Sequence, residues 1–362
     1  MNQPLLIPIK SYPNNFDIIR FVLAASVILC HSFAIYYGYE KFLHTEPFMV
    51  WSSQQISIGS VAVDLFFIIS GFLIVKSFET SSGTFNYLTK RILRIYPGFI
   101  VAFLLSILIA GFIGSELAHN WEGYKLYFHY LYKKKELVRL FTLQDSYQKI
   151  FFKDSPEPGV NNSIWTIQFE FFCYLLVPLF AWLGFFKNKW CFLIAFIMMY
   201  LIFFLQLKGY IFPFKNWNNL FFGNPYFVPR FVMYFLAGAC FYHFRTVIVR
   251  SNFLALFAFI ALAISFFWIK CIDMVLPLAG SYFLFFLVFH PRIPFGGFAK
   301  YGDFSYGVYL YGWPVQALVF YFFKDYIHPY SFFFIALPIA VLMAFLSWHI
   351  VEKPLLKFKK TV

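Results

Sequence analysis

Within the run FDIIRFVLAASVILCHSFAIYY, residues 16–37, two side chains that can do chemistry stand eleven positions apart, Arg20 and His31. On a helix at about 100° and 1.5 Å per residue they share a face to within about 20°, about 16 Å apart along the axis. The run is long enough to cross a bilayer, which takes about 20 mainly apolar residues. An ionisable group at mid-depth costs ~2.5 kcal/mol or more by insertion scales, so its retention predicts function. Arg20 lies close enough to an end to snorkel to the headgroups, whereas His31 lies too deep. One helix face thus holds a cation near one surface and an imidazole nearer the other, which suits a site reached from both sides.

Two carboxylates answer that histidine, Asp64 in SVAVDLFFIISGFLIV and Glu170 in NNSIWTIQFEFFCYLLVP. Counted from the helix ends assigned to the outside, all three groups lie about six to eight residues deep, one level at 1.5 Å per residue. They are expected to converge on a polar cavity and satisfy one another. A histidine oriented by a carboxylate is a general base for a hydroxyl nucleophile. Depth alone leaves open whether Asp64 or Glu170 is the partner, and either could be a protonated structural carboxyl. At the opposite surface, KRILRIYP carries Lys90, Arg91 and Arg94. Arg91 and Arg94, three apart, are expected on one side of a helix. With Arg20 they form a patch for phosphates, which guanidinium groups grip in a fork. A phosphate-rich head on the arginines, a long arm and an acyl tip near the base describe a coenzyme A thioester.

The elements that must hold these groups follow from composition. The chain has 362 residues, 61% hydrophobic and 12% charged, with a mean hydropathy of +0.70. A soluble chain is about half apolar and a quarter charged, so an all-α, polytopic membrane helix bundle is expected. About ten transmembrane helices can be marked, near 16–37, 56–78, 95–114, 164–184, 191–207, 227–244, 252–269, 272–290, 304–323 and 331–351. Basic residues alternate between the connecting segments in a way that puts both termini in the cytoplasm. The segment 115–163 is read as a long extracytoplasmic loop, part of it an amphipathic helix along the outer interface. The whole chain, 1–362, is taken as a single transmembrane domain with no additional soluble domain. The net charge of +13 reads as positive-inside topology and contact with anionic lipid, and no soluble basic domain is present for nucleic acid. The five cysteines include no CxxC pair, so neither a metal site nor a disulfide is expected.

The ordered stretches resemble the acyltransferase 3 family of integral membrane acyltransferases that modify extracytoplasmic glycans. They are FDIIRFVLAASVILCHSF, SVAVDLFFIISGFLI, KRILRIYP, NNSIWTIQFEFFCYLLVP, DFSYGVYLYGWPVQ and the closing WHIVEKPL. The resemblance implies transfer of an acyl group from cytoplasmic acetyl-CoA, a co-substrate rather than a tightly bound cofactor. The acceptor it implies is a hydroxyl of a surface or lipid-linked carbohydrate, such as a polysaccharide or lipopolysaccharide, outside a bacterial inner membrane. It carries the catalytic role onto His31 and donor or structural roles onto Arg20, Arg91 and Arg94. Trp165 and Glu170 match the family's W-to-E stretch, and Arg230 in VPRFVMYFLAG matches an arginine near its sixth span. Trp165, Arg230, Tyr306 and Tyr309 are the expected substrate-binding residues; Trp165, Tyr306 and Tyr309 are also candidates for oxyanion donors. Many members have a histidine where this chain has Gly312, which points the proton transfer to His31.

A second reading from another class is a proton-coupled transporter or flippase of a glycan or lipid-linked intermediate, since buried His, Asp and Glu also form proton relays. Against it, no pair of broken helices in corresponding halves marks an inverted repeat.

Overall fold

The computed structural model describes residues 3–4, 14–114, 121–133, 136–144, 155–210, 223–293, 295 and 297–357. The described chain is helical apart from a two-residue antiparallel bridge between Gln3–Pro4 and Val249–Arg250. The first half runs α1 (Phe16–Thr45), α2 (Pro47–Trp51), α3 (Ile58–Glu79), α4 (Thr84–Leu105), α5 (Trp121–Lys133), α6 (Glu136–Thr142) and α7 (Ile167–Trp182). The second half runs α8 (Trp190–Leu207), α9 (Val228–His243), α10 (Asn252–Ile264), α11 (Ile272–Val275), α12 (Ser281–Val288), α13 (Ser305–Phe323), α14 (Pro329–Ser347) and α15 (Lys353–Lys357).

Among the described residues, seven helical stretches are long and apolar enough to cross a membrane. The other three expected spans are helices too, but shorter or less apolar. Helix α9 has 16 residues. The stretch Ile272–Val288 is one continuous but shorter apolar helix, widened into a π turn at Leu276–Gly280 that carries Pro277. Helix α13 spends its length on Tyr306, Tyr309, Tyr311, Trp313 and Gln316. Of the expected loop 115–163, α5 and α6 are helical, while residues 115–120, 134–135 and 145–154 lie outside the described residues.

Helix α3 is the centre, flanked by α1 and α9. Lipid tails are as apolar as leucine, so helices in a membrane gain by close packing of small residues. Two glycines supply it here. A Cβ at Gly71 would sit 1.9 Å from the Phe235 carbonyl oxygen, and one at Gly238 would sit 1.9 Å from the Ile68 carbonyl oxygen. Backbone therefore lies on backbone at the α3–α9 crossing, which fixes the two helices that carry Asp64 and Arg230.

The top of α1 is bent at Gly38 (φ 74°), where the chain turns toward α2. The buried Glu46 carboxylate then accepts from the Met49 backbone N–H at 2.7 Å and from the Ile58 N–H at 3.3 Å. One side chain thus satisfies otherwise orphaned donors at the start of both α2 and α3, and ties the end of α1 to the helix beside it.

Candidate functional site

His31 lies on α1 and lines a cavity of about 170 Å3 together with Ser57, Ser60, Asp64, Ser163, Trp165, Arg230 and Tyr309. Neither ring nitrogen hydrogen-bonds to a described residue, and Nδ1 is buried. The imidazole is held by packing instead, edge-on to Trp313 with ring centroids 4.8 Å apart. Trp313 is itself placed by a chain of backbone repairs. Pro314 denies the Leu310 carbonyl its usual helical donor four residues on, and Asn161 Nδ2 donates to that oxygen at 2.9 Å. Ser163 Oγ contacts the next carbonyl, Tyr309 O, at 3.1 Å, and Trp313 Nε1 donates to Gly159 O at 2.8 Å. Gln316 Nε2 ties α13 to α1 at Ile28 O and Ser32 Oγ, 2.9 and 2.8 Å away. The segment 159–163 is thereby stitched along α13, and α13 along the face of α1 that carries His31.

Neither expected carboxylate partners the histidine among the described residues. Asp64 accepts a fork from Arg230, with Nε to Oδ1 at 3.0 Å and Nη2 to Oδ2 at 2.7 Å. Glu170 accepts from the Tyr174 hydroxyl at 2.5 Å and from Ser70 Oγ at 3.4 Å. The expected meeting of His31, Asp64 and Glu170 around one cavity is therefore corrected: Asp64 shares the histidine cavity, and Glu170 lines a second one. Depth along a helix carries no azimuth, and α7 turns Glu170 toward Ser70 of α3 and the Arg20 end of α1 rather than toward His31.

That second cavity, about 60 Å3, is lined by Arg20, Arg94, Thr166, Glu170, Tyr174, Tyr306 and Tyr309. Val63 and Tyr309 line both cavities and form the wall between them. Arg20 Nη1 and Arg94 Nη2 each donate to the same Asp303 oxygen, Oδ2, at 2.5 Å. Arg94 Nη1 also reaches Glu352 Oε2 at 3.3 Å, and its guanidinium lies over the rings of Tyr306 and Trp348. Asp303 sits in the turn before α13, where Ser305 Oγ donates to its other oxygen at 2.6 Å. Burial disfavours its ionised form, yet Arg20 and Arg94 outweigh that and hold the carboxyl well below the usual carboxylate range.

Arg91 does not line this cavity, which corrects the expectation that it faces the same side as Arg94. Residues three apart differ by about 60° around a helix. That turns Arg91 toward Ser77 Oγ at 3.2 Å and between the rings of Tyr87 and Tyr174. The two expected tyrosines have spent their hydroxyls: Tyr306 donates to Ile95 O at 2.9 Å, and Tyr309 bonds Ser163 O and Thr166 Oγ1, each at 2.5 Å. Asp303, Glu352, Trp313 and Gln316 stood in the stretches DFSYGVYLYGWPVQ and WHIVEKPL but had no role there. Asn161 likewise had none in NNSIW. Among the described residues no group of three or more His, Cys, Asp or Glu side chains is gathered as for a metal ion.

A family described as an acyltransferase domain matches residues 14–351. An O-acetyl transferase of Shigella phage Sf6 is 27% identical over 361 residues, which is 94% of this chain and 95% of that protein. Nodulation protein 10 of Rhizobium leguminosarum bv. viciae is 26% identical over 47% of this chain and 44% of its own length. Acyltransferase MdmB of Streptomyces mycarofaciens is 27% identical over 44% of this chain and 37% of its own length. No solved structure matches the chain significantly. With nearly its whole length inside one family, and with seven helices among the described residues long and apolar enough to span a bilayer, the chain belongs to the acyltransferase 3 family and is an integral membrane acyltransferase of groups other than amino-acyl groups.

Proposed function

We propose that the protein is an O-acyltransferase that moves an acetyl group from cytoplasmic acetyl-CoA to a carbohydrate hydroxyl on the outer side of a bacterial inner membrane. In this reading the chain is one domain of about ten spans with both termini cytoplasmic, and segment 115–163 faces outward. The observation that carries it is the adjacency of two unlike cavities. One holds an imidazole with no hydrogen-bond partner among the described residues, and the other holds Arg20 and Arg94, with Val63 and Tyr309 shared between them.

Each guanidinium carries five N–H donors. Asp303 and Glu352 engage one of Arg20's nitrogens and two of Arg94's, so donors remain for the phosphates of the coenzyme. The pantetheine arm is long and thin enough to pass the wall at Val63 and Tyr309 and to bring the thioester to the histidine cavity. His31 then takes the proton of the acceptor hydroxyl as that oxygen attacks the thioester carbon, and returns it to the departing thiolate. Arg91, pinned to Ser77 and packed between two tyrosines, supports the patch rather than gripping phosphate. The Shigella phage relative is an O-acetyl transferase, which supports oxygen as the acceptor atom and acetyl as the group.

The test is His31→Ala in membrane vesicles supplied with radiolabelled acetyl-CoA, read as alkali-labile label in the glycan fraction. General acid–base catalysis contributes about 10²–10⁴-fold, so a loss of that size at unchanged protein level is expected. Near-normal labelling removes His31 from the mechanism.

A further inference from the structure

Acyl transfer to a hydroxyl passes through a tetrahedral species whose former carbonyl oxygen bears a negative charge, and donors aimed at that oxygen are the largest single source of rate in most such sites. The donors around His31 can be counted. The Tyr309 hydroxyl is committed to Ser163 O and Thr166, and Ser163 Oγ to Asn161 Oδ1 and Tyr309 O. Ser57 Oγ donates to Ser60 Oγ. Among the lining side chains this leaves Ser60 Oγ, Trp165 Nε1 and the weak thiol donor of Cys30, all neutral, and one cation, Arg230. Asp64 pins Arg230 through Nε and Nη2, Asp273 Oδ1 stands 4.0 Å from the same Nη2, and Nη1 makes no hydrogen bond to a described residue. A guanidinium is planar and rigid, so fixing two of its nitrogens fixes the direction of the third.

We propose that Arg230, aimed by Asp64, donates through Nη1 to the oxyanion of the tetrahedral intermediate and is a catalytic residue of the acyl transfer. The inference rests on the acyltransferase reading above. The acceptor hydroxyl oxygen bonds to the thioester carbon, and the carbonyl π pair moves onto its oxygen beside Arg230. The hydroxyl proton goes to His31. Collapse re-forms the carbonyl, breaks the C–S bond, and the thiolate leaves as thiol with the proton from His31. The products are an ester and free coenzyme A. Any donation to the oxyanion is charge-assisted, and only Arg230 adds to it the attraction of a full opposite charge, which is larger inside a protein than in water; this favours Arg230 over the neutral donors for this task. The closeness of α3 and α9 at Gly71 and Gly238 supplies the rigidity that such aiming needs.

The test uses the full chain in membrane vesicles with radiolabelled acetyl-CoA at varied concentration and the vesicles' own glycan as acceptor, reading Vmax and KM for acetyl-CoA. Arg230→Gln leaves Asp64 buried without its partner, so the informative variant is Asp64→Asn combined with Arg230→Gln, which removes both members of the fork together and leaves the more distant Asp273 in place. We expect Vmax to fall about 10²–10³-fold, as when an oxyanion donor is lost, in both Arg230→Gln and the double variant, with KM changed less than about twofold. Recovery of Vmax in the double variant would overturn the proposal, since Arg230 would then serve only as the counter-charge to Asp64. A loss carried entirely by KM would overturn it too and make Arg230 a binding residue. The His31→Ala arm separates the two failures: label retained there sinks the acyltransfer mechanism itself, whereas label lost there but kept in the double variant sinks only the role of Arg230.

Discussion

The two cavities are neighbours with opposite habits. Around Arg20 and Arg94 the polar groups are largely engaged with one another: a single Asp303 oxygen holds both guanidiniums, Glu352 takes a further nitrogen, the Tyr306 and Tyr309 hydroxyls bind backbone oxygens, and that of Tyr174 binds Glu170. Around His31 the imidazole has no partner among the described residues, and Arg230 keeps one amino group unused. An unpaired buried polar atom costs about 1–3 kcal/mol, and native structures keep few of them. On the proposed reading, the contrast teaches that the arginine cavity holds its shape while a ligand comes and goes, and that the histidine cavity keeps its polar groups free to react.

The sharpest way to break that contrast is Asp303→Ala. It leaves two guanidiniums facing each other without their shared carboxylate. Breaking a fully buried pair costs about 3–5 kcal/mol; with these side chains about a fifth exposed, about 2 kcal/mol is expected. The unfolding midpoint in detergent should drop by several degrees, while His31→Ala, which removes no hydrogen bond to a described residue, should leave it within about one degree. Equal shifts would erase the distinction between a holding region and a reacting one. The sign of the pH dependence follows from the depressed carboxyl of Asp303. Its ionic contribution is complete above about pH 4, the ordinary aspartate value, and is lost as pH falls through the lower folded value. The gap in stability between wild type and Asp303→Asn should therefore close on acidification.

A smaller effect is expected from Asn161→Ala, which tests how the reactive cavity is held. It strands the Leu310 carbonyl that Pro314 left without a donor and removes the contact to Ser106 Oγ. A loss of about 1 kcal/mol is the usual size for one such bond. Because Trp313 rides on the same stitched segment, Vmax should fall several-fold with KM for acetyl-CoA unchanged; an unaltered Vmax would show that Trp313 holds the imidazole without this support.

Much of this was legible beforehand for a physical reason: in an apolar run an ionisable residue is costly, so Arg20, His31, Asp64 and Glu170 announce themselves. The helical nature of all ten expected spans follows from the same apolar lengths. What stayed hidden was azimuth and pairing. Nothing in the sequence says that Glu170 turns to Ser70, or that Asp64 is claimed by Arg230, 166 residues away. Asp303 lies in a turn beside Gly302, where an aspartate is unremarkable, yet it joins α1 to α4. A signal for Asn161 did exist, since a proline inside a helix leaves the carbonyl four residues earlier in need of a donor. The donor, however, stands 149 residues away, beyond any local pattern.

The smallest expected effect sharpens the boundary of the arginine cavity. Arg91 and Arg94 are equivalent by spacing, and a phosphate patch built from their charge alone would lose as much from either. The structure separates them: Arg94 lines the cavity, whereas Arg91 is bonded to Ser77 and flanked by Tyr87 and Tyr174. Lysine keeps the charge but loses the fork and the stacking surface. Arg94→Lys should therefore raise KM for acetyl-CoA about tenfold, because it disturbs both the grip on phosphate and the bridge to Asp303 and Glu352. Arg91→Lys should change KM less than about twofold and cost only the stacking, about 0.5–1 kcal/mol of stability. Equal increases in KM would mean that Arg91 swings from its tyrosines onto the donor, and the arginine cavity would then be a region that rearranges when loaded rather than one already in its working form.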